Sequence, residues 1–141
     1  MRSRPPMARL APALAAALWG CVPSTQAVLA TDSTAVQLRS YQTRAFDTTD
    51  KTRTLRTVIA TLQDLGFVVD KADQVIGTVT ATKLKGYALR MTVTVRPRGE
   101  TQLLVRANAQ FGEQAVEDPE IYRDFFEALA KAMFLAAPQV D

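Results

Sequence analysis

Two stretches of the chain alternate apolar and polar residues, and two others repeat apolar residues at helical spacing. Between Tyr87 and Arg96, Tyr87, Leu89, Met91, Val93 and Val95 lie on one face, and Ala88, Arg90, Thr92, Thr94 and Arg96 lie on the other. Thr101–Phe111 alternates as well, with Leu103, Val105, Ala107, Ala109 and Phe111 on its apolar side. A period of two is the signature of a strand with one wet face. Pairing Val95 with Leu103 keeps both apolar faces together, whereas a one-residue slip would set Leu103 opposite Thr94. That pairing fits a short loop through Pro97-Arg98-Gly99-Glu100, with Gly99 left-handed.

Leu55, Val58, Ile59, Leu62 and Leu65 recur at helical spacing, with Arg53, Arg56, Gln63 and Asp64 on the other side. Asp47, Thr49 or Asp50 can cap the start of this helix, and Gly66 stands where its C-terminus needs a residue of positive φ. A last helix opens at Asp118-Pro119 and carries Ile121, Phe125, Leu129, Ala132 and Met133, with Tyr122, Phe126 and Phe134 widening the stripe. Pro138 is expected to end it. Phe125 and Phe126 are adjacent and cannot point the same way, so one of them could sit near an edge and line a groove, but ordinary core packing is the reading to expect. Val36–Phe46, Phe67–Asp70 and Val75–Lys83 read as strands, Lys71–Gln74 and Lys83–Gly86 as turns, and Gly112–Glu117 as a loop. The order is β-α-β-β-β-β-α. It implies a two-layer α+β domain, an antiparallel sheet of about five strands with two helices on one face.

The first 35 residues follow neither period. Met1–Arg9 carries Arg2, Arg4 and Arg9 and no acid, Leu10–Trp19 is a Leu/Ala-rich run, and Leu18-Trp19-Gly20-Cys21 follows. A positive start, a short apolar stretch and a small residue at the cut describe a secretory signal. The apolar run is shorter than the roughly 20 residues a membrane span needs. Val22–Ala35 is rich in Ser, Thr and Ala and reads as a flexible tether. The expected division is a signal at 1–20, a lipidated Cys21 with its tether at 21–35, and one domain at 36–141.

Composition changes the picture in three places. The chain has 141 residues, 48% of them hydrophobic and 22% charged, enough for one folded core. Its formal charge is +3, but three of its 17 basic residues lie in the leader. From Cys21 onward 14 Lys/Arg meet 14 Asp/Glu, so the mature domain has no net field to gather nucleic acid. With no His and one Cys, a transition-metal site and His-assisted nucleophilic catalysis lose their usual residues. Glu117, Asp118 and Glu120 read as helix-start chemistry, Asp70 and Asp73 as turn chemistry, and the single glycines as turns. The expectation is no enzyme, no cofactor and no metal.

One surface stands out. In the Val95–Leu103 register the outward face of the hairpin sets Arg90 opposite Asn108, Thr92 opposite Arg106 and Arg96 opposite Gln102. Arg98, Lys83 and Lys85 are expected nearby. Such a basic, Thr-rich face suits an acidic partner, a lipid headgroup or a cell-wall polymer, although Arg and Thr also serve simply to keep a sheet face soluble.

Leu18–Cys21 resembles the lipobox of bacterial lipoproteins, in which a small residue precedes a cysteine that is acylated and becomes N-terminal. By that resemblance Leu18, Trp19 and Gly20 form the cleavage site and Cys21 carries the lipid. Val22 replaces the Asp that retains such proteins in the inner membrane, which implies the outer membrane, periplasmic face. The whole pattern resembles small Gram-negative lipoproteins. More loosely, the helix Asp50–Leu65 ending at Gly66-Phe67, the strand series and the helix from Asp118 are similar to the helix-grip domains of BamC-type lipoproteins. The resemblance implies a non-enzymatic accessory or scaffold that binds another envelope protein. The alternative is a carrier of a lipid or hydrophobic small molecule in a cavity between sheet and helices. Metabolic labelling with a palmitate analogue should mark the full-length protein and leave Cys21→Ser unmarked; equal labelling of both would remove the anchor.

Overall fold

The computed structural model describes residues 34–84 and 86–137. It is a two-layer α+β fold with one six-stranded antiparallel sheet, ordered β1-β5-β4-β3-β2, and β6 beside β5. Helix α1 covers residues 34–41. It is followed by β1 (Thr43–Phe46), α2 (Lys51–Asp64), β2 (Val68–Asp73) and β3 (Thr78–Leu84). Then come β4 (Ala88–Arg98), β5 (Gln102–Phe111), β6 (Gln114–Ala115) and α3 (Pro119–Leu135). Leu18, Trp19, Gly20, Cys21, Lys85 and Pro138 lie outside the described residues.

β1 and β2 occupy opposite edges of the sheet, so α2, which joins them, must cross its width. Its start is set by Asp50, whose carboxylate accepts from the Arg53 N–H at 2.9 Å. Its end is a Schellman motif: Phe67 N–H donates to Leu62 O, Gly66 N–H donates to Gln63 O, and Gly66 has φ +87°. Leu55, Val58 and Leu62 are buried against the sheet. Thr54, Thr57 and Thr61 form a second buried stripe. Their hydroxyls donate to the carbonyls of Asp50, Arg53 and Thr57, one turn back, so no hydroxyl is left dry and unpaired. Small side chains there let α2 lie close beside α3.

α3 starts on Asp118, which accepts from the Glu120 N–H at 2.9 Å, with Pro119 as first helical residue. Tyr122, Phe125, Phe126 and Leu129 are fully buried against Met91, Val93, Val105 and Ala107. Phe125 and Phe126 are therefore both core residues, as ordinary core packing expects, and neither sits at an edge. Their rings meet edge to face at 5.1 Å because α3 is enclosed on both flanks. On one side lies α2. On the other Arg44 of β1 places its guanidinium 5.2 Å from the Phe126 ring and donates to Phe126 O. The helix ends at Leu135, before Pro138.

The first strand is much shorter than the expected Val36–Phe46. Residues 34–41, which include the last two of the presumed tether, are helical. The reason lies on the outer edge of β5. β1 pairs with Leu103–Arg106, and Ala107 N–H donates to Gln42 O. Beyond that, β6 takes Gln110 and Phe111, and Val116 N–H donates to Ala109 O. An extended Val36–Tyr41 would collide with β6, so the chain leaves the sheet at Gln42. The stretch 112–117, expected to be all loop, thus contains β6.

The remaining edge group, the Ala109 N–H, donates to the Tyr122 hydroxyl at 3.2 Å. The same hydroxyl accepts from Gln42 Nε2 at 3.2 Å and donates to Val116 O at 2.5 Å. Gln42 and Tyr122 are both buried. One phenol thus fills the gap between β1 and β6.

The β4–β5 register keeps the expected face but is displaced by two residues: Val95 pairs with Val105, and Pro97 with Leu103. Pro97 belongs to the strand rather than the turn. The Val95 N–H points to β3, donating to Gly77 O at 2.7 Å. Pro97, two residues on, would point its missing N–H to that same side, beyond the first residue of β3, Thr78, which lies opposite Thr94. The hairpin then closes through Gly99, Glu100 and Thr101, with Gly99 at φ +60°. Tyr87 falls just before β4 and packs edge to face on Phe111 at 4.6 Å.

β2 runs on to Asp73, through residues expected to turn, with a bulge between Val69 and Lys71. The turn after it brings Gly77 against β4. A Cβ there would stand 2.5 Å from Val95 O, at a φ of +79°, so only glycine fits.

Tyr122→Phe should cost about 2–4 kcal/mol in denaturant unfolding, since three buried polar groups lose a partner. It should also speed hydrogen exchange at the Ala109 amide. Wild-type stability with unchanged exchange would contradict this account of the edge.

Candidate partner-binding face

Both α2 and α3 pack on one side of the sheet, and among the described residues nothing covers the other. Strand alternation assigns side chains to that open face. β3 contributes Thr78, Thr80 and Thr82, and β4 contributes Arg90, Thr92, Thr94, Arg96 and Arg98. β5 contributes Gln102, Leu104, Arg106, Asn108 and Gln110.

Across the strands, Arg106 lies opposite Thr94 and Asn108 opposite Thr92, each threonine backed by another on β3. Arg90 lies opposite Gln110, Arg96 opposite Leu104, and Arg98 opposite Gln102. The face expected from the sequence therefore exists, with each partner moved by two residues.

The same structure divides that face. Arg106, Arg96 and Arg98 occupy three successive levels toward the hairpin end. Arg90 stands six residues from Arg96 on the same strand, about 20 Å away at strand rise. Lys83 does not join the group. It points to the helix side, donating from Nζ to Leu65 O at 2.8 Å, and lies 5.6 Å from the Phe67 ring centroid.

None of Arg90, Arg96, Arg98 and Arg106 forms an ion pair among the described residues; the ion pairs there belong to Arg53 and Arg123 on the helices. Carboxylates at the margins of the open face are held by its polar residues: Asp70, on edge strand β2, accepts from the Thr82 hydroxyl at 2.6 Å, and Asp47, just after β1, accepts from Gln102 Nε2 at 2.6 Å at the hairpin end. The guanidinium forks therefore point their donors at solvent, in a geometry that matches carboxylate or phosphate oxygens.

Thr94, Arg96, Leu104, Arg106 and Asn108 line a shallow recess of about 310 Å³ in this face. Half-buried Leu104 was the residue to find. In an alternating run that begins Gln102-Leu103-Leu104-Val105, one of two adjacent leucines must face outward, and that was the available signal.

Other openings lead elsewhere. A cleft of about 160 Å³ between α2 and the β2–β3 hairpin is lined by Leu55, Arg56, Ile59 and Ala72. A groove of about 460 Å³ near the end of α3 is lined by Phe46, Met133 and Phe134. Asp118 caps α3, and Asp73 accepts from the Ile76 N–H at 2.9 Å, so these acids serve turns and helix ends. Among the described residues no group of three His, Cys, Asp or Glu is placed to hold a metal ion. No described helix is long and apolar enough to cross a membrane.

Because these arginines are exposed and unpaired, Arg96→Ala with Arg106→Ala should change unfolding free energy by no more than about 0.5 kcal/mol. Arg44→Ala, which loses its contacts with Phe126, should cost about 1 kcal/mol or more. A double mutant less stable than Arg44→Ala would mean that the open face is structural. In comparisons with known proteins, no family model matches this chain and no curated protein is significantly similar to it.

Proposed function

We propose that this chain is a non-enzymatic lipoprotein of the outer membrane, acylated on Cys21, whose domain docks an acidic segment of another envelope protein. The observation that carries this reading is the open sheet face, where Arg96 and Arg106 line a recess, Arg98 stands one level beyond, and none of the three forms an ion pair among the described residues. A chain that is neutral from Cys21 onward supplies no long-range field of its own, so the attraction is local to that face. Exposed guanidinium groups favour association rate and orientation, and their contribution falls with added salt. The anchor follows from Leu18–Cys21 and would confine the domain near other envelope proteins, raising their effective concentration.

The interior favours a scaffold over a carrier. Tyr122, Phe125, Phe126, Leu62, Met91 and Leu129 fill the layer between sheet and helices and are fully buried. The clefts named above open to solvent at its margins.

In-cell crosslinking of the tagged full-length protein tests the proposal. A specific envelope protein should be recovered with the wild type and lost, at equal expression, with Arg96→Glu and Arg106→Glu together. Cys21→Ser should release the protein from the membrane fraction. If every crosslinked protein survives the double charge reversal, the docking face lies elsewhere. A stoichiometric lipid recovered in place of any protein would turn the reading to the carrier.

A further inference from the structure

Resting on the docking reading above, the chemistry around Leu104 narrows the acidic segment to a chain terminus. We infer that the recess takes the C-terminal residue of a partner protein, an aliphatic one, through its free carboxylate and its side chain together. Thr94, Arg96, Leu104, Arg106 and Asn108 enclose a single recess of about 310 Å³. Half-buried Leu104 is its apolar floor, and Ala45 lies opposite it on β1, on the same face. On the other side Arg96 of β4 lies directly opposite Leu104. Residues so opposed stand about 4.5–5.5 Å apart. Arg106, one level on, is diagonal to Arg96, about 7–8 Å away and within reach of a long side chain. Two guanidinium groups can therefore close on one anion, and that anion sits beside the leucine.

An internal residue of an extended segment offers the sheet one side chain, and the next on that face follows about 6.8 Å later. Over Leu104 it would bring an apolar group or a carboxylate, not both. A C-terminal residue carries both on one carbon atom. Its side chain rests on Leu104 and Ala45 while its carboxylate accepts from Arg96 and Arg106, the forked geometry that guanidinium groups offer. Neither arginine has an ion pair among the described residues to give up. Thr94 and Asn108 supply further donors at the same end.

The level on the far side of Leu104 sets the direction of the bound chain. There Gln102 Nε2 donates to the Asp47 carboxylate at 2.6 Å. That carboxylate repels a second anion and suits the backbone N–H groups that precede a terminus. The ligand carboxylate thus points toward Arg106 and Asn108, and the rest of the partner leaves past Asp47 and Gln102. A run of acidic residues would meet Asp47. Inorganic phosphate would use the arginines and leave Leu104 and Ala45 wet.

The test uses the full-length protein in nanodiscs of zwitterionic lipid and peptides labelled with fluorescein at the N-terminus, read by anisotropy. One peptide is Gly-Ser-Thr-Ser-Leu with a free C-terminus, and the second is its C-terminal amide. The third ends in free serine, and the fourth is the amide Gly-Ser-Glu-Ser-Thr, with its only carboxylate internal. The first should bind about tenfold or more tightly than either amide, the scale of charge-assisted hydrogen bonds. It should exceed the serine-ended peptide about fivefold, the scale of partly burying a leucine. Leu104→Ser should remove the preference for leucine over serine and keep that for acid over amide. Arg96→Gln with Arg106→Gln should remove the preference for acid over amide.

Equal binding of the first peptide and its amide, or no binding of either, would overturn the inference. So would an internal glutamate that binds as tightly as the free terminus, or full displacement of the first peptide by an equal concentration of inorganic phosphate. If the terminal peptide fails in any of these ways while the crosslinked envelope protein is still lost with Arg96→Glu and Arg106→Glu, the docking face stands and only its ligand is wrong. A crosslinked protein that survives those reversals would sink the docking face itself.

Discussion

The Tyr122 hydroxyl holds together the part of the sheet that has no continuous partner strand. β5 has β4 along one edge, but on its other edge two short strands meet it with a gap between them. Backbone groups in that gap are buried and would otherwise lack partners. The phenol donates to Val116 O and accepts from Ala109 N–H and Gln42 Nε2, so it joins α3, β5, the start of β1 and the end of β6. Removing it would leave each of those groups without water or a substitute.

From that constraint follows the placement of the helices. α3 must lie where Tyr122 reaches the β5 edge, and α2 must cross from β1 to β2 on the same side. Their apolar stripes then cover one face with the rings of Phe125 and Phe126 at its centre. The buried threonines of α2 bond back to their own helix, so a close helix pair forms without stranding a hydroxyl. With both helices committed, the second face of the sheet is left to solvent and partners.

That open face is rich in arginine toward the hairpin end. Arginine is costly to bury but inexpensive to expose, and here it is exposed beside threonine, asparagine and a half-buried leucine. Carboxylates near it are hydrogen-bonded and not ion-paired to its arginines: Asp47 accepts from Gln102, Asp70 from Thr82, and Asp73 from the turn at Ile76. The guanidinium groups thus retain their full hydrogen-bonding capacity for an incoming anion.

The sequence by itself determined the elements whose signal is local. The alternation around Met91 and Val105 announced two long strands with one apolar face. Asp50, Gly66, Asp118 and Pro119 marked helix ends through short-range hydrogen bonds that need no tertiary context. The identity of the outward arginines came with that alternation, because parity survives a register error of two. Tertiary structure alone decided the rest. Only competition with β6 for the edge of β5 shortens the first strand and leaves residues 34–41 helical. Only the end of β3 beside Pro97 lets a proline stay in a strand and shifts the hairpin by two. Only enclosure by α2 and Arg44 buries both Phe125 and Phe126. In each case the deciding partner lies far away in the chain. The placing of Arg96 opposite Leu104 and of Arg106 opposite Thr94 around one recess depends in the same way on a register that no local pattern specifies.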